Sequence, residues 1–201
     1  MIDVGTPVII NNDKYVRFAV SLWLEEDLKI LCKDTATEFA FYLKDYRTLT
    51  KNDIVYYIIP YQEIIIPKQR TTTAHVEIME TMPYPITGHK HPVAISSFSD
   101  YDTQNIIPNS NISILVTENG IQQASIKFPV TIANTQYAFV IITSNILKLI
   151  DTETPTSLND NKLNEIHEKA VQQYVETTFN YHDIYYDYFD NYYEGKRRKR
   201  K

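Results

Sequence analysis

Between residues 7 and 21 apolar and polar positions alternate loosely, and the stretch from Leu22 to Cys32 then places Leu24, Leu28 and Leu31 at helical spacing. A strand or two followed by a helix is predicted. In TEFAFYLKDY, Phe39, Phe41 and Leu43 fall on one face of an extended chain, which puts Glu38, Ala40 and Tyr42 on the other. That strand carries one acid. DIVYYIIPYQEIIIP is a near-continuous β-branched and aromatic run, predicting a strand buried on both faces, with interruptions at Pro60 and Pro67. AHVEIME is expected to continue the same sheet. The segment from Pro85 to His91 reads as a strand ending at a proline loop, and NISILVTENGIQQASIKFPV as two strands joined at Asn119-Gly120, a strong hairpin signal. TQYAFVIIT adds one more strand.

After about residue 145 the period changes. In SLNDNKLNEIHEKAVQQYVETTF, Leu163, Ile166, Ala170 and Tyr174 share one helical face. Further on, Tyr181, Tyr185, Tyr188 and Tyr192 form one stripe and Asp183, Asp187, Asp190 and Glu194 a second, the pattern of an amphipathic helix. Its tyrosines either pack on the domain or meet a partner or second copy. The pattern predicts an α+β protein in three parts: a principal domain over 1–150, a C-terminal helical extension over 151–195 and a basic tail over 196–201.

Composition narrows the class. The 201 residues suffice for one sizeable core, and no apolar run approaches the roughly 20 residues of a membrane helix. The first residues lack the basic segment, apolar stretch and cleavage site of a secretory signal, so a cytoplasmic protein is expected, in a host cytoplasm if the source is viral. Cys32 is the single cysteine, which excludes an internal disulfide and a cysteine-rich metal site. Net charge is −5 although residues 196–201 are all basic, so the body is more acidic still. Contact with nucleic acid is expected only through that tail.

Candidate chemistry lies in GHKHPVAISSFSDYD, where His89 and His91 are followed by seven residues, Ser99 and then Asp102. Residues i and i+2 of a strand point to the same side, so the two imidazoles converge. Pro92 turns the chain out of regular pairing, and the loop beyond it can return Asp102 as an oxygen ligand. Two histidines, one carboxylate and an open fourth position make a usual catalytic zinc set. The bland alternative is an exposed His-x-His beside a helix start, with Ser99 as N-cap. The two are compatible, because a Ser99 cap places Asp102 in the first helical turn. His75 and His167 lack ligand spacing and read as structural or surface residues.

The stretch resembles the JAMM motif of the JAB1/MPN/Mov34 metalloenzymes, in which a His-x-His-Pro strand end and a Ser-x-x-Asp helix start bind zinc. The resemblance covers residues 20 to 145 and implies an MPN-like mixed β-sheet flanked by helices, with one Zn2+ held by His89, His91 and Asp102. It further implies an early-strand glutamate as general base. Glu38 matches best, with Glu63, Glu77 and Glu80 as rivals. Ser99 would hydrogen-bond the oxyanion. The implied activity is that of a zinc peptidase or isopeptidase acting on a protein substrate, ubiquitin-like conjugates included. The sequence departs from the eukaryotic pattern at Lys90, where Ser or Thr is common, and lacks Gly and Trp in PVAISSF, which points equally to a viral or archaeal relative. The alternative is a scaffold protein of a viral or cellular assembly that keeps the MPN-like fold with little or no catalysis.

Overall fold

A computed structural model describes residues 8–11 and 14–150 of the chain. The helix predicted after residue 157, the Tyr-rich segment and the basic tail lie outside the described residues. In chain order the elements are β1 (Val8–Asn11), β2 (Val16–Ser21), α1 (Leu22–Asp34), β3 (Ala40–Leu43), β4 (Arg47–Lys51), β5 (Ile54–Ile59), β6 (Gln69–Thr71) and β7 (Val76–Ile78). Next come β8 (Ile86–Lys90), a π-helical turn (Asp102–Ile106), a 3-10 turn (Ile107–Asn109), β9 (Ile112–Thr117), β10 (Gly120–Ile132), β11 (Thr135–Thr143) and β12 (Ile146–Leu149). The fold is mixed α/β and mostly sheet, and α1 is the only α-helix of any length among the described residues.

Six strands form one sheet in the order β1-β11-β10-β9-β8-β3, and four form a second in the order β12-β2-β5-β4. Helix α1 begins where the Ser21 hydroxyl accepts from the Leu24 amide, capping one of the amides a helix start leaves open. Its Leu24, Leu28 and Leu31 join Phe18 and Val20 of β2, Phe39 and Phe41, and Ile112 and Ile114 of β9 in one hydrophobic core. The predicted helix and the Phe39/Phe41/Leu43 face are therefore borne out.

The run DIVYYIIPYQEIIIP behaves differently from expectation. It is not one strand buried on both faces: β5 is mostly half-buried, and it turns back on β4 through Asn52 and Asp53, both at positive φ. Asn and Asp tolerate that left-handed conformation better than other side chains. Beyond Pro60 the chain becomes a strap along the free edge of β3. Tyr42 and Ile65 exchange backbone hydrogen bonds, the Gln69 amide oxygen accepts from Ala40 N at 2.6 Å, and the Thr72 carbonyl accepts from Glu38 N at 2.8 Å. AHVEIME does not extend the main sheet either, since β7 pairs only with β6. The edge of β3 is thereby closed, which fixes the segment that carries Glu38.

The register of β3 on β8 decides what faces what. Ala40 lies opposite His89 and Phe41 opposite Gly88, and the Lys90 amide donates to the Phe39 carbonyl, so the pairing runs one residue past β3 and leaves Glu38, outside the strand expected to carry it, just beyond its end. A side chain at Gly88 is excluded, because a Cβ there would stand 2.0 Å from the Phe41 ring. Phe41 lies over the bare backbone and locks this register.

Candidate metal centre

On the face of β8 turned away from α1, His89 and the residue just past the strand, His91, place their Nε2 atoms 3.0 Å apart. Asp102 meets both, with Oδ1 3.1 Å from His89 Nε2 and Oδ2 3.1 Å from His91 Nε2. All three residues are buried. Asp102 is delivered by the turn predicted from Ser99. The Ser99 hydroxyl donates to Asp102 Oδ2 at 2.7 Å and accepts from the Asp102 amide at 3.2 Å, and the Ser99 amide also donates to Oδ2 at 2.7 Å. After one helical turn the chain passes into the π-helical turn, where the Ile107 amide donates to the Asp102 carbonyl. Pro108, with no amide hydrogen, prevents regular continuation.

This group can hold a metal ion. Four-coordinate zinc with nitrogen and oxygen ligands at about 2.0–2.2 Å spaces neighbouring ligands by about 3.4 Å. The 3.0 Å between the two Nε2 atoms would need to open by only a few tenths of an ångström. Both Nδ1 atoms are buried without a hydrogen-bond partner among the described residues, so the rings are set by packing, with Phe98 6.0 Å from the His89 ring, and their polar edges converge on one another and on Asp102.

The electrostatics agree with that arrangement. Burial works to raise the Asp102 pKa, but hydrogen bonds from His89, His91 and Ser99 outweigh it and hold the carboxyl well below its ordinary range. Burial lowers the His89 pKa despite the neighbouring carboxylate, favouring the neutral ring that a metal requires. Glu38 is pushed up to about 7, first by burial, with His91 and Lys90 opposing and Asp102 reinforcing the shift.

Glu38 is buried close enough to feel the charges of His91 and Asp102, without belonging to the three-residue cluster. Its rivals lie elsewhere: Glu63, Glu77 and Glu80 are exposed, with Glu63 against Lys44 and Glu77 against Arg70. His75, read as structural or surface, packs edge-on against Tyr101 at 4.5 Å between ring centres, beside Asp102. No sequence spacing signals that neighbour, because the β6–β7 loop brings it there.

Lys90 has a role that its position in His-Lys-His conceals. Alternation turns it to the opposite face, where its buried ammonium donates to the Cys32 carbonyl at 2.7 Å and to the Thr35 carbonyl. It closes the C-terminal end of α1, whose last carbonyls lack partners within the helix. Comparison with models of known families and with curated proteins finds no match to this chain.

Proposed function

We propose that this chain is a zinc-dependent hydrolase of amide bonds, a peptidase or isopeptidase of the JAMM kind on an MPN-like sheet. His89, His91 and Asp102 hold the ion and Glu38 is the general base. The observation that carries the reading is the convergence of two buried imidazoles and a buried carboxylate, with the Nε2 atoms 3.0 Å apart and each 3.1 Å from one carboxylate oxygen, while the buried Glu38 stands just before the strand paired with β8. Zinc in such a site supplies Lewis-acid polarisation of a carbonyl and acidifies a coordinated water.

Glu38 takes a proton from the attacking water and returns it to the leaving amine, and a carboxyl shifted to about 7 can do both near neutrality. The Ser99 amide keeps hold of Asp102 Oδ2 while the Ser99 hydroxyl turns its one hydrogen from Oδ2 to the substrate oxygen as that oxygen gains charge. A groove of about 390 Å³ beside the site is lined by Tyr42, Thr87, Tyr101 and Asn105; its walls include none of Glu38, His89, His91, Ser99 or Asp102, but Thr87 lies two residues before His89 and Tyr101 directly precedes Asp102. Its size suits a short stretch of a protein substrate.

The test is cleavage. Full-length protein reconstituted with zinc is expected to hydrolyse a member of a panel of peptides and ubiquitin-like conjugates, and Glu38→Gln to lose at least about a hundredfold in rate with its zinc retained. Bound zinc with no hydrolysis of any panel member would overturn the enzymatic reading and leave a metal-holding scaffold.

A further inference from the structure

At one corner the six-stranded sheet outruns the strands beside it. β10 pairs with β9 only as far as Ile126 opposite Ile112, but with β11 as far as Ile132 opposite Thr135, where Ala133 and Asn134, both at positive φ, close a two-residue turn. Among the described residues, 128–138 therefore stand out as a two-stranded arm, with β1 alongside only from Val8, opposite Phe139. Such a ribbon is marginally stable in water unless its apolar side is packed.

That side continues the core. Ile126 belongs to the main hydrophobic core and its partner Ile141 packs against it. From this pair alternation carries the same face outward through Phe128 opposite Phe139, Val130 opposite Tyr137 and Ile132 opposite Thr135, with Val8 and Ile10 of β1 in line. The Phe128 and Phe139 rings stack, 6.3 Å between centres and 14° between planes. Toward the tip and toward β1 the cover ends, and Val8 is 45%, Ile10 37%, Tyr137 41% and Ile132 52% exposed. No residue on this face of the arm is charged, although 22% of the chain's residues are.

We propose that a second copy of this chain docks on this face, the two arms packing face to face about a two-fold axis beside Tyr137. A two-fold contact sets a patch against itself, so a charged patch meets its own sign, and this patch has no charge to repel. The outer face of the four-stranded sheet is no rival, because Arg17, Arg47 and Lys51 would meet their like there. With four residues 37–52% exposed and Phe128, Val130 and Phe139 half-buried, the arm presents on the order of 500 Å², as large as the largest apolar patch of a typical monomer. A symmetric pair would bury about 1,000 Å², which reaches the area a specific interface requires. Val130 and Tyr137 form the middle row of the patch, which places the axis there. His89 lies on the opposite face of the sheet, so pairing leaves the candidate metal centre open.

Sedimentation of the full chain at micromolar concentration tests this. The native protein is expected at twice the 23.5 kDa of one chain. Tyr137→Glu and Tyr137→Lys, each setting like charges together at the axis, are expected to halve that mass, while amide exchange over Ile112–Ile126 stays as slow as in the native chain. Ile132→Asp, at the tip of the arm and farthest from the core, is expected to halve it as well. An equal mixture of the two Tyr137 variants is expected to recover the doubled mass, since opposite charges then meet across the axis. A native chain of single mass, a doubled mass that survives the charged substitutions, or a mixture that stays at single mass would each overturn the proposal. Single mass with slow amide exchange throughout 128–138 would assign the face to another part of the same chain instead.

Discussion

The two faces of β8 do opposite things within five residues. Toward α1 it presents Ile86, Gly88 and Lys90, where each group is matched: Phe41 covers the Gly88 backbone and two helix-end carbonyls accept from the Lys90 ammonium. Toward the π-helical turn, Thr87, His89 and then His91 lead to a place where two Nε2 atoms and a carboxylate crowd together and both Nδ1 atoms go without partners among the described residues. A well-satisfied face holds rigid a face whose polar atoms suit an ion better than they suit one another. That division of labour lets a short strand carry a candidate metal centre, and it can be broken from either side.

The largest effect is expected at Gly88→Val, which drives side-chain atoms into the Phe41 ring. Unfolding in urea should show a loss of about 3 kcal/mol, and the β3–β8 register should fail with it. Lys90→Met removes the buried cation and leaves the Cys32 and Thr35 carbonyls unpaired, a loss of about 2 kcal/mol by the same assay. Because the substitution lies on the other face, zinc binding should survive it; loss of zinc in folded Lys90→Met would show that the faces are not separable.

Glu38 gives the pH dependence. Its folded value of about 7 lies above the ordinary 4.5, so the folded protein holds the proton more tightly than the unfolded chain. This contribution is complete below about pH 4.5 and is lost as pH rises towards 7. Metal-free Glu38→Gln should therefore gain about 1–2 kcal/mol over the native protein at pH 8, with the difference fading by pH 4.5, as tracked by urea unfolding across pH. The smallest effect is expected at Ser99→Ala, which loses a cap worth about 1 kcal/mol and the group that orients Asp102. Zinc affinity, read by competition with a chelating dye, should weaken about tenfold.

The site was more legible in the sequence than the frame around it. His-x-His on a strand has to converge, Ser-x-x-Asp starts a turn, and alternation in TEFAFYLKDY turns Glu38 away from the Phe39 and Phe41 face; each is a short-range geometric rule. Long-range pairing has no such local signal. Residues 60–72 look like strand because they are rich in isoleucine, yet they serve as an edge strap whose partners lie some thirty residues back, as Ala40 and Gln69 do. Asn119-Gly120 marked the right hairpin, but Glu118 and Asn119 form its two-residue turn and Gly120, at φ +103, lies just after them, close against Glu25. The alternation also put Lys90 opposite the histidines, but nothing local shows that a helix end lies there to receive it.

The central claim is that His89, His91 and Asp102 form a zinc site held in place by the other face of β8. Metal analysis of the full-length protein after zinc loading and removal of excess ion tests it most directly, beside His89→Ala and Lys90→Met. One zinc per native chain, one per Lys90→Met chain and none in His89→Ala is the expected result; native protein well below one zinc per chain, or His89→Ala that retains it, would contradict the account.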